Sequence, residues 1–195
     1  MKKYVAYGIG AALVDTEIKV QDAELAQMNV EKGLMTLVDE DRRRELLDHL
    51  QGHLIKANHA SGGSAGNSMI ATAQFGGPTF MSCKVANDSD GDIYIADLEA
   101  AGVDHGLKGE RTVGTTGKCL VLITPDAERS MNTFLGISET LSIEQLDAGA
   151  IAASEYVYLE GYLVTSPTGR AAAIKAREIA EAAGVKTALS FSDPG

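Results

Sequence analysis

The chain has 195 residues, with 17 Lys+Arg against 27 Asp+Glu and a formal net charge of −10. At 45% hydrophobic and 23% charged residues it has the composition of a folded domain with a sizeable core, which excludes disorder as its main state. The acidic balance argues against a nucleic-acid partner, and no stretch approaches the roughly 20 apolar residues of a membrane span.

Residues 3–9 (KYVAYGI) read as a first strand ending in the Gly8–Gly10 turn. The basic start is followed quickly by Asp15 and Glu17 without a hydrophobic core segment, so no signal peptide is expected. Residues 39–54 read as a helix with an acidic start and Leu46, Leu47, Leu50 and Leu54 on one face. A short strand at 55–59 then leads into Ser61-Gly62-Gly63, a small-residue helix over 64–75, a strand at 80–85, and a helix over 90–101 closed by Gly102.

The second half keeps this rhythm. Residues 116–124 (TGKCLVLIT) form a buried strand before the turn at 125–128. Ser142 stands three residues before Gln145, a capping box that opens a helix over 142–154. A strand at 156–159, an alanine-rich helix over 168–183 stopped by Gly184, and a strand at 185–191 complete the chain. Alternating strands and helices predict a single α/β domain with a mostly parallel sheet. Residues 17–36 and 103–115 alternate polar and apolar positions without a helical stripe, and are expected to leave the main sheet as a small flap. Cys83 and Cys119, each inside an apolar run, read as buried reduced thiols of a cytoplasmic protein. The four histidines have no metal-ligand spacing, so no metal site is expected.

Two features bear on chemistry. Ser61-Gly62-Gly63-Ser64-Ala65-Gly66-Asn67 stands between a strand and a helix, where glycines admit a ligand to the backbone and Asn67 offers an amide to hydroxyls. A tight turn with Ser64 as N-cap explains the same residues without a ligand. Asp15 follows the turn after the first strand, at the carboxyl edge where α/β sheets bind ligands. A carboxylate there can accept from two adjacent sugar hydroxyls, or can be a solvated loop residue.

Together these segments resemble the ribokinase and adenosine kinase family of carbohydrate kinases, the phosphofructokinase-B family. The resemblance runs along nearly the whole chain. Residues 7–15 (YGIGAALVD) are similar to the family's opening strand and its sugar-binding aspartate. Residues 62–67 (GGSAGN), Gly76-Gly77 and residues 84–91 (KVANDSDG) are similar to its first pattern. The adenosine kinase branch fits best, through residues 116–119 (TGKC), 126–131 (DAERSM) and 158–162 (YLEGY). The resemblance implies a ribokinase-like three-layer α/β/α fold with a β-lid, drawn from the two excursions at 17–36 and 103–115. It implies MgATP-dependent phosphorylation of a primary hydroxyl on a nucleoside or sugar. Asp15, Gly62, Gly63 and Asn67 would hold the ribose, while Leu37, Met131, Leu135 and Tyr162 would flank the base. Arg129 would neutralise phosphoryl charge; Leu37, Met131 and Leu135 can equally be core residues, and Arg129 a surface cation. The family's Gly-Ala-Gly-Asp, which supplies the general base and anion hole, is absent from these 195 residues. The chain is therefore expected to be an N-terminal, substrate-binding part that is inactive alone, completed by a C-terminal fragment or paired in a homodimer. A non-catalytic nucleoside- or sugar-binding short form is the alternative.

Overall fold

The computed structural model describes residues 2–53, 58–107 and 109–191. The first strand, β1 (Tyr4–Ile9), alternates side chains into two apolar layers and is the centre of the first sheet. Around it the strands run in the order β10-β9-β1-β5-β6, with β5 (Thr79–Ser82), β6 (Asp104–His105), β9 (Ser154–Glu160) and β10 (Lys186–Ser190) all parallel. One face is covered by α3 (Ser64–Gln74) and α4 (Ser89–Ala100), which pack Met69, Tyr94 and Leu98 against Met81 and Cys83. The other face carries α5 (Ala148–Ala152) and α6 (Pro167–Ala182), with Ala172, Ala176 and Ala180 lying four apart against Val157 and Leu159. These layers are the expected α/β/α architecture.

α6 starts where its sequence says it should. Ser166 accepts a hydrogen bond from Gly169 N–H at 3.0 Å, and Pro167 occupies the first helical position, where no amide hydrogen is needed. Ser166→Ala should cost about 1 kcal/mol, read as a lower urea midpoint at unchanged m-value.

The chain leaves the first sheet after β1 to build a second, mixed sheet. Its order is β3-β8-β7-β2-β4, with β2 (Leu13–Lys19), β3 (Met35–Leu37), β4 (Asn58–Gly62), β7 (Gly117–Ile123) and β8 (Arg129–Phe134). The outer face is sealed by α1 (Asp22–Gln27) and α2 (Glu40–His49): Leu25, Leu46 and Leu50 bury Ile18, Leu120 and Leu122. Period-two alternation then sends Leu13, Asp15, Cys119, Met131, Thr133 and Leu135 to the opposite, inner face.

This second sheet redraws several expectations. Of residues 17–36 only the ends are strand, and α1 lies between them. The described residues of 103–115 contribute β6 to the first sheet and no strand to the second. The strand expected at 116–124 is present but belongs to the second sheet; a buried apolar run reads the same in either. The helix expected over 142–154 divides: the Ser142–Gln145 capping box closes a single 3-10 turn, and α5 starts separately at the Asp147 cap. Leu54 and residues 55–57 of the expected strand lie outside the described residues; the described strand is β4.

Candidate functional site

The strand order reverses about β1, so a crevice opens at the carboxyl ends of β1 and β9, the usual ligand position in open α/β sheets. The inner face of the second sheet roofs this crevice and leaves a cavity of about 200 Å³. Of the residues singled out from sequence, Asp15, Leu37, Gly63, Asn67, Arg129, Met131, Leu135 and Tyr162 line it together. Gly62 does not line it but stands directly behind Asp15: a Cβ at Gly62 would overlap the carboxylate.

Asp15 is neither in a loop nor fully solvated. It sits within β2, between Ala60 of β4 and Cys119 of β7. No donor among the described residues hydrogen-bonds to its carboxylate, and burial raises its pKa from 3.8 to about 6. The negative charge of Glu17 adds to that rise, and the guanidinium of Arg129 opposes it. Arg129 itself is half exposed and lies 3.7 Å from Glu17, at the β8 end of the hairpin whose turn carries Ala127 at φ +66°. An accepting group in a partly enclosed cavity, with no donor among the described residues, is free to take hydrogen bonds from hydroxyls.

The remaining wall is apolar. Leu13, Met35, Leu37, Met131 and Leu135 face the cavity from the roof, and Tyr162 closes it from the turn after β9. Cys119 lies beside Asp15 as a neutral thiol, its pKa pushed up to about 12 by burial, and accepts from Thr133 Oγ1 at 3.4 Å. Both cysteines are free and buried, as expected. Such a wall suits a flat aromatic ring above a polar floor.

The floor is the start of α3. Gly63, not Ser64, is the N-cap, because a φ of +87° and the approach of the Ala11 carbonyl, 2.5 Å from where a Cβ would stand, admit only glycine. Asn67 N–H bonds back to Gly63 C=O at 3.0 Å, one turn into the helix, so its side chain reaches the cavity. Sequence reasoning missed Glu160, at the end of β9. It is 2% exposed, and its carboxylate accepts from Ala11 N–H (2.6 Å), Ser64 N–H (2.9 Å), Ser64 Oγ–H (2.7 Å) and Ala65 N–H (3.3 Å). Its signal was present: a lone acid closing the apolar run Tyr156–Leu159. Ser64 of the glycine-rich turn also lines the cavity, and Met35, Thr133 and Thr165 are further lining residues with no separate sequence signal.

Among the described residues no group of three or more acidic, histidine or cysteine side chains could hold a metal ion, and no helix is long and apolar enough to cross a membrane.

The family model described as "pfkB family carbohydrate kinase" matches residues 33–195. The crystal structure of adenosine kinase from Sinorhizobium meliloti superimposes with a TM-score of 0.91 at 38% identity, covering 98% of this chain and 57% of that one. That of a probable sugar kinase from Rhizobium etli gives a TM-score of 0.92 at 34% identity, over 99% of this chain and 57% of the other. An ATP-dependent ribose-1-phosphate kinase of Halopiger xanaduensis is 35% identical over 138 residues, 70% of this chain and 43% of its own length. The chain thus spans about half the length of the relatives it matches.

Proposed function

The chain belongs to the pfkB family of carbohydrate kinases, and from that membership we propose that it forms the acceptor-binding part of a kinase that phosphorylates the primary hydroxyl of a ribonucleoside, with MgATP as donor. The observation that carries this reading is the pairing of Asp15 with the apolar roof. An accepting carboxylate without a donor among the described residues lines the cavity from β2, and the apolar Met131 and Leu37 line it from β8 and β3, two and three strands across the sheet, with Leu135 just past β8. A ribonucleoside has that polarity along its length: a vicinal diol, then a flat ring.

In this reading the 2′- and 3′-hydroxyls donate to Asp15, and Gly63 and Asn67 complete the contacts to the sugar. The base lies between Leu37, Met131, Leu135 and Tyr162. Arg129, tethered loosely by Glu17, swings over the site to offset phosphoryl charge. MgATP supplies the phosphoryl group when bound. At the start of α3 Glu160 already takes the Ser64 and Ala65 N–H groups, and among the described residues no cluster of acidic, histidine or cysteine side chains is present to hold the metal. Neither carboxylate in the cavity is placed to take the proton from the 5′-hydroxyl: Asp15 is engaged by the diol, and Glu160 is saturated by four donors. The 195 residues therefore bind acceptor without turning it over. Completion by a C-terminal fragment, or by a second copy, is part of the same proposal, as is a cytoplasmic setting in which its two thiols stay reduced.

Isothermal titration of the chain with adenosine, inosine, guanosine, ribose and ribose 1-phosphate tests the reading. The nucleosides should bind one to one, and ribose at least tenfold more weakly. Tighter binding of ribose 1-phosphate than of any nucleoside would mean that the roof does not receive a base. Leu135→Ala should weaken adenosine about tenfold through lost apolar burial and leave ribose binding unchanged.

A further inference from the structure

α3 starts without the devices the other long helices use. α2 and α4 are capped by Asp39 and Asp88, whose side chains accept from the amides of Arg42 and Gly91, and both have acidic first turns. The N-cap of α3 is Gly63, which has no side chain, and its first turn contains no acid. Its orphan N–H groups and the positive end of its dipole nonetheless lie against the cavity.

Glu160 provides what α3 lacks. One carboxylate oxygen, Oε1, accepts from Ser64 N–H, Ser64 Oγ–H and Ala65 N–H, while Oε2 accepts from Ala11 N–H. All four partners are donors, a set that only an ionised carboxylate can accept in full. Gly10 makes room for this: a Cβ there would stand 2.5 Å from Oε2 and 2.6 Å from Ala65 Cβ. Three segments thereby meet on one side chain. They are the β1–β2 loop that leads to Asp15, the first turn of α3 with Gly63 and Asn67, and the end of β9 that leads to Tyr162.

We propose that Glu160 is the positioning residue of the acceptor site, a built-in anion delivered from β9 that caps α3 across the fold and locks the three ligand-bearing segments in register. The position of the carboxylate is read from the hydrogen bonds alone; its effect on ligand affinity rests on the acceptor-site reading above. Burial pushes its carboxyl above the usual range and the four donors pull against that.

The test is chemical rescue. Glu160→Ala removes a group the size of acetate and leaves the donors of Ala11, Ser64 and Ala65 facing a hole. Sodium acetate should raise the melting temperature of the variant by several degrees more than that of the wild type, and matched sodium chloride should not. Adenosine affinity should fall at least tenfold in the variant and recover in part with acetate. A folded variant with undiminished adenosine affinity, or one whose losses ignore acetate, would overturn the proposal. If the wild type binds no nucleoside, the acceptor-site reading fails, and the acetate-dependent melting shift alone still decides the role of Glu160. Should Glu160→Ala not fold, the isosteric Glu160→Gln replaces it. The amides of Ala11, Ser64 and Ala65 should then exchange with deuterium at least tenfold faster than in the wild type, and unchanged exchange at all three contradicts the assignment.

Discussion

Replacing Asp15 by asparagine should make the empty protein more stable at neutral pH and nearly abolish its nucleoside binding. The folded-state pKa of about 6 lies above the ordinary 3.8, so the protonated form is the one the fold favours. The contribution of Asp15 to stability is complete below pH 3.8 and is lost as the pH rises through about 6. The displacement from 3.8 to about 6 is worth at most about 3 kcal/mol, and about 1–3 after allowing for the open side of the cavity. Asp15→Asn should therefore raise the melting temperature at pH 7.5 and leave it nearly unchanged at pH 3.5. Adenosine should bind about 100-fold more weakly, since hydrogen bonds to a charged group contribute about 1.5–3 kcal/mol each and the amide keeps only part of them. In the wild type, affinity should itself fall as the pH drops below 6, when the carboxylate that accepts the hydroxyls becomes a carboxylic acid. Calorimetry and titration across pH 3.5–8 read both effects.

The second large effect is expected at Gly62, a residue that does not line the cavity. Its Cβ would occupy the space of the Asp15 carboxylate, which ends a side chain that lines the cavity and must swing aside. Gly62→Ala should therefore leave folding stability within about 1 kcal/mol, because β4 has ordinary extended backbone at this position. Its binding should fall to the level of Asp15→Asn. The double variant should bind no worse than either single one, since both act on one carboxylate. An additive loss would mean that Gly62 acts on the ligand by some other route.

Much of the fold was legible because its elements are locally determined. The Ser166-Pro167 start and the alanine stripe of α6, the apolar alternation of β1, and the acidic cap of α2 need no knowledge of the rest of the chain. The second sheet was not legible to the same degree. β7 is a buried apolar run, and nothing in such a run says which sheet it joins; the antiparallel pairing with β8 decides that. The brevity of α1, only six residues, hid a helix inside a segment that reads as alternating strand. At the site, Asp15 was found by its place after β1, and its true setting follows from the period-two alternation of Leu13 and Asp15 along β2. Ser64 looks like an N-cap because serine prefers that position. The cap is Gly63 because the acid that satisfies the helix comes from residue 160, nearly 100 positions away. A long-range hydrogen bond of that kind leaves only an indirect trace, an acid where an apolar strand should end.

The decisive contact is Asp15 accepting the ribose diol inside this cavity, and a cycle of ligand and protein changes tests it directly. Adenosine and 2′,3′-dideoxyadenosine would be titrated into the wild type and into Asp15→Asn. The wild type should prefer adenosine by 10-fold or more, and the preference should shrink to about twofold in the variant. Equal affinity of the wild type for both ligands, or a preference that survives the loss of Asp15, would contradict the assignment of this cavity as the acceptor site.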